Sequence, residues 1–207
     1  MNQRLIKQRS SLLMLVVLFL ASIVSASDTA TPFDNLEWRP IGPVNMSGRV
    51  ADVEGVPGDP NTIYVGSASG GIWKSVDGGL TFHPIFDDQP IASIGDLALA
   101  PTNPAVIYVG TGEANARNSV SFGNGVYKST DGGQSWRHLG LDDTRHISRI
   151  VVHPTDPDTV YVGALGHIFG PNEERGVFRS TDGGATWEKV LYVDDRHGVS
   201  DLDMDPT

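Results

Sequence analysis

Cysteine is absent from this 207-residue chain. No disulfide, thiolate metal site or lipid-modified cysteine anchor is therefore available, and stability has to come from packing. Long apolar runs are scarce as well. Leu12 to Val24 is an apolar stretch of about 13 residues interrupted by Ser22, short of the about 20 that span a bilayer as a helix. Positive charge is also in short supply, with 15 Lys and Arg against 25 Asp and Glu.

The basic residues Arg4, Lys7 and Arg9 precede the apolar stretch, and Val24-Ser25-Ala26 follows it with small side chains. That order is the pattern of a cleavable export signal. Residues 1–26 are expected to be a signal peptide, 27–46 a lead-in, and 47–207 the folded part. A retained membrane anchor is the alternative, which the short run disfavours. Cleavage leaves 12 basic against 25 acidic side chains, a net charge of −13. Such a surface excludes nucleic acid as a partner, because phosphate binding needs clustered cations. The expected location is periplasmic or extracellular, without a stable membrane anchor after cleavage.

What is present is a repeat. Ser75-Val76-Asp77-Gly78-Gly79-Leu80-Thr81-Phe82 recurs as Ser129-Thr130-Asp131-Gly132-Gly133-Gln134-Ser135-Trp136 and as Ser180-Thr181-Asp182-Gly183-Gly184-Ala185-Thr186-Trp187. The aspartates lie 54 and 51 positions apart, a spacing that suits propeller blades better than helical solenoids. The paired glycines suit a hairpin that needs positive φ, and each aspartate suits the backbone N–H groups of such a turn. Ser75, Ser129 and Ser180 are expected to bond locally, and Trp136 and Trp187 to fill the space between blades. Three equivalent acids at equivalent turns read as structural caps rather than catalytic groups.

Each copy belongs to a longer unit. An alternating segment begins at Val50, Ile94 or Ile147, and a Pro-rich turn follows at 57–60, 101–104 or 154–157. A β-branched run then ends in Tyr64-Val65-Gly66, Tyr108-Val109-Gly110 or Tyr161-Val162-Gly163. A third segment leads into the signature turn, and a fourth starts at Phe82, Trp136 or Trp187. Four short strands per unit make a blade. The expected fold is an all-β propeller of four-stranded blades. Three blades are complete, and Val199 to Thr207 repeats the start of a fourth. Closure takes about four or more blades, so the sequence is expected to be the N-terminal part of a longer protein.

In such a blade the loop between strands two and three shares a face with the link into the next blade. From the strand-two Tyr to the first apolar residue of strand three is 8, 18 and 16 positions in the three units. The longer loops carry Glu113, Asn115 and Arg117, then His167 and Arg175. The links carry Asp87-Asp88, Asp142-Asp143 with Arg145 and His146, and Asp194-Asp195 with His197. Functional groups gather on such loops. Glu113 is the catalytic acid if one is present, with Asn115, Arg117, Arg145, His146, His167, Arg175 and His197 as ligand-binding candidates. The plainer alternatives are turn caps, surface ion pairs and loop-orienting histidines. No closely spaced His pair and no Asp-x-Asp-x-Asp-Gly loop occurs, so neither a metal nor a cofactor is expected.

With those three signature copies, the chain resembles the Asp-box (BNR-repeat) propellers, and in particular bacterial exported proteins similar to the N-terminal propeller of sortilin. Trp38-Arg39-Pro40-Ile41-Gly42-Pro43 and Ser69-Gly70-Gly71-Ile72-Trp73-Lys74 strengthen the likeness. It implies Ser75, Asp77, Gly79, Ser129, Asp131, Gly133, Trp136, Ser180, Asp182, Gly184 and Trp187 as the structural box. Relatives include sialidases, xyloglucan-cleaving glycosidases, photosystem assembly factors and sortilin-type receptors. Sialidases carry an early Arg-Ile-Pro, and here the order is Arg39-Pro40-Ile41. The xyloglucan-cleaving pattern places a catalytic Asp in Thr-Asp-Val-Gly-Gly, and the matching Ser67-Ala68-Ser69-Gly70-Gly71 puts Ala68 there. These departures favour an exported scaffold binding a protein, peptide or glycan. The alternative is a glycoside hydrolase acting on extracellular β-glucan such as xyloglucan, with part of its site beyond Thr207.

Overall fold

A computed structural model describes residues 49–205. The expected signal peptide, the lead-in and the Trp38–Pro43 stretch lie outside the described residues. Three antiparallel sheets of four strands follow one another along the chain. The first holds β1 (Val50–Val56), β2 (Asp59–Ser67), β3 (Ile72–Ser75) and β4 (His83–Pro84). The second holds β5 (Ile94–Ala100), β6 (Asn103–Thr111), β7 (Val126–Ser129) and β8 (Arg137–His138). The third holds β9 (Ile147–Val152), β10 (Val160–Ala164), β11 (Gly176–Ser180) and β12 (Glu188–Leu191). Each sheet is a simple meander, so the chain forms consecutive propeller blades as the repeat implies.

Two details differ from the sequence reading. Strands β2 and β6 begin inside the Pro-rich segments, with Val56 paired to Asp59 and Ala100 to Asn103. Pro60 and Pro104 sit at strand starts, where a missing N–H costs no ladder bond. Residues 199–205 form no strand. Val199 N–H still bonds the Ala164 carbonyl at 3.0 Å, but among the described residues no second strand supplies a ladder.

The core is made where one blade packs on the next. Tyr64, Ile72 and Phe86 of the first blade meet Ile94, Leu97, Ile107 and Tyr127 of the second. Ala98, Tyr108, Val126 and Leu139 then meet Ile147, Ile150, Val162 and Phe178 of the third. Each fully buried side chain of this size contributes about 1.5–3 kcal/mol. The recurring Tyr-Val-Gly has its reason here. A Cβ on Gly66 would lie 2.8 Å from the Ile94 side chain, and one on Gly163 2.8 Å from Val199. Gly110 is more tightly covered by Ile147. Glycine in strand two therefore makes the seat for the first residue of the next blade.

Polar ties repeat at the same interfaces. Trp136 Nε1–H donates to the Ile85 carbonyl at 2.7 Å and Trp187 Nε1–H to Leu139 at 2.8 Å. Lys74 Nζ reaches the Gly132 carbonyl at 2.9 Å, and Lys128 Nζ reaches Asp158 at 2.9 Å. Near the inner strands, Asp52 accepts from the Leu97 N–H at 3.1 Å and Asp96 from the Ile150 N–H at 2.6 Å. The third position in that series is Arg149, which lies 3.7 Å from Asp96 and 3.6 Å from Asp201.

The signature turns act as caps. Asp77 accepts from the Thr81 N–H at 2.9 Å and the Thr81 hydroxyl at 2.6 Å, while Ser75 Oγ accepts from the Gly79 N–H at 2.9 Å. Asp131 and Asp182 repeat the arrangement with Ser135 and Thr186. The hydroxyl and amide donors hold the Asp77 carboxyl down at about 2 and depress Asp131 and Asp182 as well. Gly78 and Gly79 adopt φ of 72° and 86°, the left-handed region that glycine enters without strain.

Candidate functional site

The two ends of each blade are different. Gly78, Gly132 and Gly183 of the signature turns bond back to Asn61, Ala105 and Asp158, so these turns share one face with the Pro-rich turns. The strand-two-to-three loops and the links meet on the other. Gly71 N–H bonds Ala92, Gly112 bonds Ser93, Gly123 bonds Arg145, and Leu165 bonds His146. The sequence-predicted loop face is thus a real surface, stitched by backbone.

Glu113 lies beneath that surface, 1% exposed. Its carboxylate pairs with the Arg49 guanidinium, and its N–H donates to Ser93 Oγ at 3.0 Å. Ser93 in turn donates to the Ser121 carbonyl at 2.9 Å. Oε2 of Glu113 is buried with no hydrogen-bond partner among the described residues. Arg49 was missed by sequence reasoning, since it belongs to no motif and meets Glu113 from 64 positions away.

The link preceding β9 makes a single 3₁₀ turn over Asp142–Thr144, flanked by positive φ at Leu141 (61°) and Arg145 (57°). This brings His146 under the loop, 5% exposed, with Nδ1 2.8 Å from the Glu113 carbonyl oxygen. Burial, with His167 and Arg145 nearby, pushes the imidazole down to about 4. A carbonyl oxygen accepts only, so Nδ1 carries the proton and Nε2 is a bare acceptor. His167 Nε2 lies 3.1 Å from both the backbone carbonyl and the carboxylate of Asp143. Arg145 lies 3.5 Å from the same carboxylate, with its guanidinium 5.9 Å from the Phe122 ring centroid. Glu113, Arg145, His146 and His167 therefore form one connected cluster.

The other candidates lie outside it, Arg175 bordering it through the His167 carbonyl. Arg175 turns inward and donates to the carbonyls of Leu165, His167 and Gly170, so it orders its own loop. Asn115 and Arg117 lie exposed, with Arg117 bonding Ser119 at 3.4 Å. His197 pairs with Asp194 at 2.8 Å on the following link. The Arg196 and His197 N–H groups and the imidazole hold that aspartate down at about 2. Asp87 and Asp88 are exposed. Ala68 is buried, its N–H bonding the Arg49 carbonyl at 2.9 Å.

Among the described residues no group of three or more His, Asp or Glu is arranged to hold a metal ion. No described helix is long and apolar enough to cross a membrane.

The Sortilin-Vps10 family (sortilin, neurotensin receptor 3) matches residues 70–191. A probable oligoxyloglucan-reducing end-specific xyloglucanase of Neosartorya fischeri is 31% identical over 148 residues, which are 69% of this chain and 17% of that protein. The chain thus spans about a sixth of that relative's length. The crystal structure of an ancestral GH74 enzyme aligns with a TM-score of 0.55 and 27% identity, covering 71% of this chain and 19% of that one. YCF48 bound to D1 peptide aligns with a TM-score of 0.52 over 77% of this chain and 46% of that one. At 15% identity that likeness concerns the fold alone.

Proposed function

The chain belongs to the Sortilin-Vps10 family, and on that premise we propose that it is part of an exported glycoside hydrolase. The substrate class is an extracellular β-glucan of the xyloglucan kind, engaged on the loop face. The similarity to xyloglucanases supports this reading over a scaffold for protein ligands. On the molecule itself one observation carries it, the buried Glu113 carboxylate held by Arg49 beneath the longest loop with Oε2 unpartnered. A glycosidase works with two carboxylates about 5–10 Å apart. Glu113 supplies one, and the second comes from outside the described residues. Export places the protein where such a polysaccharide is met, in the periplasm or the medium.

A second reading keeps the glycan and drops the hydrolysis. It is favoured by Ala68, which stands where the xyloglucan-cleaving pattern carries its acid. One experiment separates the two. The full chain is incubated with xyloglucan, and both bound polysaccharide and new reducing ends are measured, for the native protein and Glu113→Gln. Hydrolysis lost in the variant, with binding kept, supports the first reading. Binding without hydrolysis in the native protein selects the second. No binding and no product overturns both.

A further inference from the structure

Large apolar side chains on a folded surface normally turn inward, so exposed aromatic rings at one cleft call for a cause. Phe122 is 63% exposed and Phe169 77% exposed. They come from loops of different blades, yet both line the same small cleft on the loop face, together with Arg145, His146 and His167. The cleft measures about 140 Å³, well below the roughly 300–1,000 Å³ that enclose a drug-sized ligand. It is sized for one ring of a longer molecule that continues across the surface.

The polar groups narrow the chemistry. Arg145 is engaged by Asp143 at 3.5 Å, and His167 is bonded to the same residue at 3.1 Å. His146 is uncharged above pH of about 4, so little free positive charge is left to draw an anion. What His146 offers is the Nε2 lone pair, because Nδ1–H is spent on the Glu113 carbonyl at 2.8 Å. Nε2 makes no hydrogen bond among the described residues, so its natural complement is a hydroxyl donor. Phenyl faces beside a hydroxyl acceptor, without free charge, match a sugar ring, which pairs an apolar C–H face with a polar edge.

We propose that the cleft lined by Phe122 and Phe169 is a subsite for one pyranose ring of a neutral glucan, stacked on the phenyl faces and donating a hydroxyl to His146 Nε2. This rests on the glucan reading above and assigns to it residues that neither the repeat nor the family motifs single out. His146 is then a binding and orienting residue, and it links the subsite to Glu113 through the Glu113 carbonyl.

The test is calorimetric titration of the full chain with a xyloglucan oligosaccharide on a four-glucose backbone. Phe122→Ala/Phe169→Ala removes the platform from exposed positions, and His146→Asn keeps a donor for the Glu113 carbonyl while its shorter side chain withdraws the acceptor from the Nε2 position. Leu80→Ala, 85% exposed in a signature turn at the opposite face, is the control. The double Phe variant is expected to bind about tenfold more weakly or worse, the loss of about 1.4 kcal/mol of binding. His146→Asn should bind several-fold more weakly, and Leu80→Ala should equal the native chain, with the melting curve of the double Phe variant unchanged. Native-strength binding in the double Phe variant would overturn the subsite while leaving the glucan reading intact. No binding by the native chain would overturn the glucan reading and the subsite with it.

Discussion

The indole N–H of Trp136 donates to the carbonyl of Ile85 at 2.7 Å, carrying the second blade's signature onto the first blade. Its ring also meets Phe86 edge-on at a centroid distance of 5.1 Å. The aromatic residue of the repeat is thus a fastener between blades. Trp136→Phe keeps the ring and loses the bond, and should cost about 1 kcal/mol. Trp136→Ala should cost about 3 kcal/mol through lost packing. Urea unfolding of both variants checks the order; equal stability in all three proteins would contradict it.

Gly110 faces Ile147 across the next interface, and an added Cβ would collide with that side chain. Gly110→Ala should destabilise by about 1–3 kcal/mol, as overpacking does. Gly110→Ala with Ile147→Val should lose less than the sum of the two single changes, because the pair shares one contact. Strict additivity in a double-mutant cycle would remove the close-approach explanation.

The Arg49–Glu113 pair is lopsided. Arg49 keeps 34% of its side chain exposed, whereas Glu113 keeps 1%. Removing the arginine strands a buried carboxylate, at a cost of about 3–5 kcal/mol. Removing the carboxylate leaves an arginine that still reaches water, so Arg49→Met should destabilise more than Glu113→Gln. The reverse order in denaturant melts would refute this picture of the pair.

Burial beside other acids makes Asp96 and Glu54 hold protons unusually well. Desolvation raises Asp96 to about 7, and the Asp52 and Glu54 charges add to it against the opposing Ile150 N–H and Arg149. Desolvation, with Asp52, raises Glu54 to about 7. A folded-state value above the unfolded one contributes stability that is fully present below about pH 4 and lost as pH rises through about 7. The signature aspartates act oppositely, losing their contribution only in stronger acid. The chain should melt higher at pH 5 than at pH 8, and Asp96→Asn with Glu54→Gln should flatten that difference. A native protein more stable at pH 8 would contradict the assignment.

The blades were legible because their determinants are local. Asp77, Gly78 and Gly79 act on a turn a few residues long, whereas the reason for Gly66 lies in Ile94 and Leu97 of the next blade. The loop face was legible for the same reason, since its loop lengths follow from the repeat. Arg49 was not, because nothing near it in sequence announces Glu113. The role of His146 was equally hidden, its tautomer being set by a carbonyl 33 positions away. Phe122 and Phe169 read as ordinary loop residues until two blades place them at one cleft. Asp96 reads as an alternating strand residue, and its proton affinity arises first from burial between blades, with Asp52 and Glu54 of the neighbouring blade adding to it.

Engagement of a β-glucan by the loop face is the point on which the proposed function turns. Titrating xyloglucan oligosaccharide into the full chain, with heat of binding as the readout, decides it. Binding is expected to be saturable, weakened by Phe122→Ala/Phe169→Ala and untouched by Leu80→Ala. A native chain that gives no binding heat, and releases no reducing ends from xyloglucan, would contradict it.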